Sequence, residues 1–267
     1  MGRKLLLILF VIVVVSGVAI RRFPTVFLHG GEEKPVKSGD IASQEPNTQP
    51  TIVSEKEVSA DLKESAQGGS ALGGSSLIEN VPFTVQAPFG EWDVVTFQDG
   101  CEEAALVMVA HWLSGKPLTR EIAKKEIMDL AGFEDKKYGQ SIDTSAEDTQ
   151  KLLMEYYGVT TSELRTDILM TDIQETLAIG AIVIVPADGR KLMNPNYKQP
   201  GPTTHMLVVI GYDAGKKEFI ANDSGTRKGQ GYRYKEDILY EAIRNYPTGD
   251  HLPIRGIHKD MIVVSKP

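Results

Sequence analysis

The chain has one cysteine, Cys101, among its 267 residues. A single thiol closes no intramolecular disulfide and builds no cysteine-based zinc site, so any cysteine chemistry rests on Cys101 alone. Basic residues are also scarce. The 29 Lys and Arg stand against 36 Asp and Glu, a formal net charge of −7, and nothing supplies the basic footprint that a nucleic-acid partner requires. No His, Asp or Glu pair falls at a metal-ligand spacing such as H-E-x-x-H, so neither a metal nor another cofactor is expected. Internal repeats are absent, including any recognisable wall-binding repeat.

There is one long apolar run, residues 5–20, LLLILFVIVVVSGVAI, with Arg3 and Lys4 before it and Arg21 and Arg22 after. As a helix it would span about 24 Å, short of the roughly 30 Å hydrocarbon core. It slightly exceeds the signal-peptide apolar region of about 7–15 residues. Ser16-Gly17-Val18 and Gly17-Val18-Ala19 approximate a small-residue cleavage site poorly. An uncleaved signal anchor is therefore favoured over a cleaved signal peptide, with a core helix third. No cysteine follows the run to carry a lipid, and Leu6 stands where a myristoylation motif needs Ser or Thr. The nearly balanced flanking charges give no orientation. The bulk of the chain is expected outside the cytoplasm, held to the membrane by residues 5–20 or secreted if they are removed.

Residues 23–78 are polar, carry scattered apolar side chains and show no sustained period of 2 or 3.6. Such a segment buries too little apolar surface to offset its ordering entropy and reads as a disordered tether. It ends in the Gly/Ser hinge GGSALGGSS. Gln67-Gly68-Gly69 and Leu72-Gly73-Gly74 look like double-glycine cleavage sites, but the hinge reading outweighs self-processing. The folded domain is expected at 79–267.

That domain is read as helices first and strands second. Asp99 is a candidate N-cap for a helix over 102–113, with Glu102 completing a capping-box spacing, and Gly115 ends it. Further helices are predicted over 120–131, closed by Gly132, 146–157, closed by Gly158, and 172–179, opened by Thr171 and closed by Gly180. Runs rich in β-branched residues follow at 181–186, 205–213, 218–223, 232–234 and 261–265, with a hairpin turn at 213–217. The pattern predicts an α+β fold with a mostly antiparallel sheet.

Cys101 falls in the first turn of the first helix, where unpaired N–H groups and the dipole favour a thiolate. Glu102 and Glu103 oppose it, so an imidazolium partner is needed, and a site beside two acids is a poor core position for a bland thiol. His111 lies ten residues along the same helix, about 15 Å away, and reads as a packed or surface helical residue. His29 is in the tether. His251 and His258 read as ordinary loop residues with no ordering acid at an obvious spacing. His205 opens an apolar strand after the polar loop NPNYKQPGPTT and is the preferred base. Asp223 ends the next strand and is the preferred orienting acid over Asn222, since consecutive strand residues face opposite sides. The Asn222-Asp223-Ser224 sequon is read as a chance match or a sign of a bacterial protein. For an oxyanion, the Cys101 N–H and the Gln86 amide are candidates, with Gln98 the rival. Trp92 is either a substrate platform or a buried anchor.

The blocks VPFTVQAPFGEWD…DGCEEAALVM and THMLVVIGYD…FIANDSG resemble the C39-like peptidases, relatives of the bacteriocin-processing double-glycine leader peptidases in the papain-like group. The resemblance spans about residues 81–240. It implies a papain-like cysteine peptidase fold in which Gln86 matches the oxyanion glutamine, Cys101 the nucleophile, His205 the base and Asp223 the acid. A peptide or protein substrate follows. The pair Glu102-Glu103 departs from the small or polar residues that many relatives carry after the cysteine. No transporter sequence follows the domain, so processing during export is not implied. The alternatives are a non-catalytic module that binds peptides or wall components, and a peptidoglycan amidase or endopeptidase.

Overall fold

The structure is a computed structural model, and it describes residues 74–267. The expected anchor at 5–20, His29 and most of the expected tether lie outside the described residues. Among the described residues no helix is long and apolar enough to cross a membrane.

Seven antiparallel strands among the described residues form one sheet. They are β1 (Ser76–Leu77), β2 (Ser162–Arg165), β3 (Ile182–Ala187), β4 (His205–Asp213), β5 (Glu218–Asp223), β6 (Tyr232–Lys235) and β7 (Met261–Val264), in the order β2-β7-β3-β4-β5-β6, with β1 on β4. The α+β reading holds. The sheet begins at Ser76, three residues ahead of the expected domain start, because Ser76 and Leu77 pair with Tyr212 and Gly211. The short polar strand β2 has no alternating apolar pattern to announce it. It lies at a sheet edge, paired only with β7.

Among the described residues six helices flank the sheet: α1 (Val95–Gln98), α2 (Cys101–Ser114), α3 (Arg120–Tyr138), α4 (Ala146–Tyr157), α5 (Met170–Ala178) and α6 (Glu236–Ala242). Alternation along the central strands divides the core in two. Ile182, Ile184, Met206 and Val208 pack with Leu106, Val109 and Leu130 of the long helices. Val183, Val185, Leu207 and Val209 pack with Ile173, Leu177 and Leu239 of α5 and α6. At about 25 cal/mol per Å2 of apolar surface removed from water, such doubly covered strands supply much of the folding drive.

Three helix limits differ from the sequence reading. Asp99 does not cap α2. The N-cap is Gly100, without a side-chain bond, because α1 runs up to Gln98 and leaves a one-turn junction. A Cβ on Gly100 would lie 2.4 Å from the Thr96 carbonyl oxygen, so only glycine fits. Helix α3 continues through Gly132 to Gly139, which takes the left-handed conformation instead. The cost of an interior glycine, about 1 kcal/mol, is offset by the next turn, where Phe133 packs edge-on against Tyr138 and Tyr156. Helix α5 starts at Met170, with the Leu169 N–H donating to Asp172 Oδ2 at 2.6 Å, so Thr171 lies within it.

Candidate active site

The hairpin between β4 and β5 turns at Asp213, whose Oδ1 accepts the Lys216 N–H at 3.1 Å. From that turn the pairing runs Asp213 to Glu218 and Gly211 to Ile220, and a one-residue bulge between Val209 and Gly211 then shifts it so that Leu207 faces Asp223 and Val208 faces Asn222. His205 and Asp223 therefore share a sheet face as diagonal neighbours, while Asn222 points to the other. His205 Nε2 lies 2.8 Å from Asp223 Oδ1, and both residues are buried. Asn222 instead donates to the Pro82 carbonyl at 3.2 Å and accepts the Gly231 N–H at 3.0 Å, tying down the arm that leads to Gln86. Its burial also leaves no room for a glycan.

The Asp223 carboxylate sits in a cage of donors. Oδ1 also accepts from Gly225 N at 3.0 Å, and Oδ2 accepts from Tyr197 at 2.6 Å, Tyr234 at 2.5 Å and Asn194 Nδ2 at 3.0 Å. Burial works against its ionisation, but the His205 imidazole and the two phenols outweigh burial and hold its pKa below the ordinary 3.8. An ionised carboxylate only accepts, so Nε2 of His205 carries the proton and Nδ1 is left as an acceptor. Asn194, Tyr197 and Tyr234 escaped the sequence reading. The alternation of Tyr232 and Tyr234 next to β5 was the available signal for one of them, since β6 pairs Tyr234 with Phe219 on the face of Asp223. Nothing local marks Asn194.

Cys101 opens α2, as the sequence placed it. The first intrahelical bond runs from Ala104 N to Gly100 O, so the Cys101 N–H has no intrahelical acceptor. The thiol is buried, although a helix start beside two acids reads as a poor core position, and the two acids after it are buried too. Sγ donates to Glu102 Oε2 at 3.0 Å, and no hydrogen bond joins it to His205 among the described residues. Glu102 Oε1 accepts from Tyr246 at 2.6 Å and Thr144 N at 3.2 Å. Burial, followed by the neighbouring Glu102 carboxylate, raises the Cys101 pKa well above its ordinary value. Beneath it, burial raises the Glu103 pKa well above the carboxylate range and pushes Glu134 up to about 7. Glu103 and Glu134 each keep one oxygen without a partner.

Cys101, His205 and Gln86 line one cleft of about 1060 Å3. Gln86 is fixed there by its Nε2 donating to the Gln98 carbonyl at 2.6 Å and by its N–H donating to the Ser224 carbonyl at 3.0 Å. Gln98 also lines the cleft, with an exposed side chain. Trp92 lines it as well and is 37% exposed, so it is not a buried anchor. His111 is packed in α2 against Glu126 at 3.1 Å, and His258 is exposed. His251 departs from its expected role. It reaches the cleft and bonds through Nδ1 to Asp143 Oδ2 at 2.9 Å, across 108 positions of sequence. Among the described residues no cluster of His, Cys, Asp and Glu could hold a metal ion.

The profile of the peptidase C39-like family matches residues 78–248. The chain belongs to that family. Among solved structures, a Bacillus anthracis protein provisionally assigned as a C39-like peptidase is similar at 14% identity with a TM-score of 0.43, over 72% of this chain and 98% of that one. Among curated proteins, none matches. The C39-like resemblance read from the Gln86, Cys101, His205 and Asp223 blocks thus stands, and it makes the chain a member of a peptidase family with an α+β architecture.

Proposed function

We propose that the chain is a cysteine peptidase that hydrolyses peptide or amide bonds through Cys101, His205 and Asp223, with Gln86 as oxyanion donor. The observation that carries this reading is the buried His205–Asp223 pair opening onto the cleft that Cys101 and Gln86 also line. Because burial and Glu102 disfavour the thiolate, the resting nucleophile is a neutral thiol. On substrate binding the Sγ proton passes from its contact with Glu102 to His205 Nδ1 as sulfur bonds to the carbonyl carbon. The oxyanion is held by Gln86 Nε2 and the Cys101 N–H, and Asp223 stabilises the imidazolium through Nε2. The Nδ1 proton then goes to the leaving nitrogen as the C–N bond breaks. Water, deprotonated by His205, releases the acid and restores the thiol.

The chain acts outside the cytoplasm, anchored by residues 5–20 ahead of a tether. Carbonate extraction of membranes and N-terminal sequencing test the anchor, and a soluble protein beginning after residue 20 would replace it with a cleaved signal.

The thiol's bond to Glu102 favours a second reading, a peptide-binding module without turnover. Digestion of a peptide library by wild type and Cys101→Ala separates the two. Products that vanish with Cys101→Ala support the peptidase, and identical digests refute it. A peptidoglycan amidase would instead release fragments from purified cell wall.

A further inference from the structure

The charges lining the cleft are divided by wall. Arg190, Lys198, Arg227 and Lys228 all line it, in a chain whose net charge is −7. They come from the two loops that flank the ends of β4 and β5, residues 190–204 before His205 and residues 224–228 after Asp223. Arg190 is neutralised by Asp188, with Nε 2.9 Å from Oδ1. Lys198, Arg227 and Lys228 are exposed, and none has a carboxylate within 4.0 Å among the described residues. Arg227 is also positioned. Its guanidinium lies over Gly90, where a Cβ would be 2.4 Å from Nη2. Gly225 packs against the His205 ring, its own would-be Cβ 3.0 Å from Cε1. Lys228 is three residues further on, so its backbone is within about 15 Å of that ring.

The carboxylates facing the cleft offer these cations no partner. Asp143 is buried and accepts from Thr204 and His251, and Asp99 lies on the Cys101 side, at the end of α1.

We infer that the His205 wall selects acidic peptide segments, with Lys198, Arg227 and Lys228 receiving Asp or Glu side chains within two or three residues of the bond that is cut. This rests on the peptidase reading for the position of the cut, but the charge preference is measurable without turnover. The cations also compensate for the negative charge around the thiol, which would otherwise repel such a substrate.

The test uses fluorescein-labelled random peptide mixtures in which every third position is fixed as Glu, Gln or Lys. Anisotropy reads their binding to the Cys101→Ala protein, and mass spectrometry reads their cleavage by wild type. The Glu mixture should bind about tenfold more tightly than the Gln mixture at low salt, an advantage that high salt removes. A folded Lys198→Glu/Lys228→Glu variant should lose or reverse the preference while its melting temperature stays near that of wild type. Equal binding of the Glu and Gln mixtures, an unchanged preference in the double variant, or equal retention of a single-stranded oligonucleotide would overturn the proposal. Selective binding of the Glu mixture with no cleavage of any mixture would uphold the acidic-peptide wall and refute the peptidase reading. Cysteine-dependent cleavage indifferent to charge would do the reverse.

Discussion

Asp223 meets five donors, and their chemistry predicts what an Asp223→Asn substitution does. An amide replaces one acceptor oxygen with a donor. At the Oδ1 corner it would face Gly225 N, which can only donate, and His205 Nε2. At the Oδ2 corner it would face two hydroxyls that can turn to accept, and Asn194 Nδ2. The amide oxygen therefore stays at Oδ1, the NH2 takes the Oδ2 corner, and His205 keeps its proton on Nε2. The opposed Asn194 contact costs about 1–3 kcal/mol of stability. The His205 bond changes from charge-assisted, about 1.5–3 kcal/mol, to neutral, about 0.5–1.5 kcal/mol. A loss of about 1.4 kcal/mol is a factor of ten, so kcat/KM for Cys101-dependent hydrolysis should fall about tenfold. Asp223→Ala leaves Gly225 N and Asn194 Nδ2 facing a void and the imidazole unheld. Its kcat/KM should fall by at least about a thousandfold, with about 3–5 kcal/mol lost in a thermal melt. Imidazole 15N shifts report the tautomer directly. A folded Asp223→Asn protein as inactive as Asp223→Ala, with its proton moved to Nδ1, would refute the corner assignment. Near-wild-type activity in both variants would remove Asp223 from the mechanism.

Other outcomes follow from the same geometry. Iodoacetamide should alkylate Cys101 faster as pH rises beyond neutrality, and Glu102→Gln should move that profile to lower pH by removing the carboxylate beside the thiol; coincident profiles would dismiss Glu102. Burial holds Glu134 protonated up to about pH 7 against an ordinary 4.5, so between those values the folded protein keeps a proton that the unfolded chain releases. Native stability should fall across that window by at most about 3 kcal/mol, at about 1.4 kcal/mol per pH unit. Glu134→Gln, which can still accept from Thr144 Oγ1, should flatten the dependence of melting temperature on pH, and a wild-type slope that persists would refute this. A Cβ on Gly229 would lie 1.8 Å from the Asp223 carbonyl oxygen. Gly229→Ala should accordingly disrupt the end of β5 and yield little folded protein, while Gly215→Ala, whose nearest neighbour is 3.5 Å away, should express normally.

The sequence by itself determined the parts governed by chain periodicity. Alternation along β5 put Asn222 and Asp223 on opposite faces, because the side-chain period of a strand is two, but the bulge between Val209 and Gly211 decided that Asp223 shares the face of His205. The same local logic put Cys101 at a helix start. Tertiary structure alone decided what surrounds these residues. The burial of Glu102 depends on Tyr246 and Thr144 arriving from distant segments. The cage around Asp223 depends on where the loop with Asn194 and Tyr197 docks, and His251 reaches the cleft only because residues near 143 and 251 meet. Contacts of this kind carry no periodic trace in the chain, since they depend on how separate elements pack and not on the pattern within any one of them. The single cysteine is legible at a glance, but its protonated resting state follows from packing.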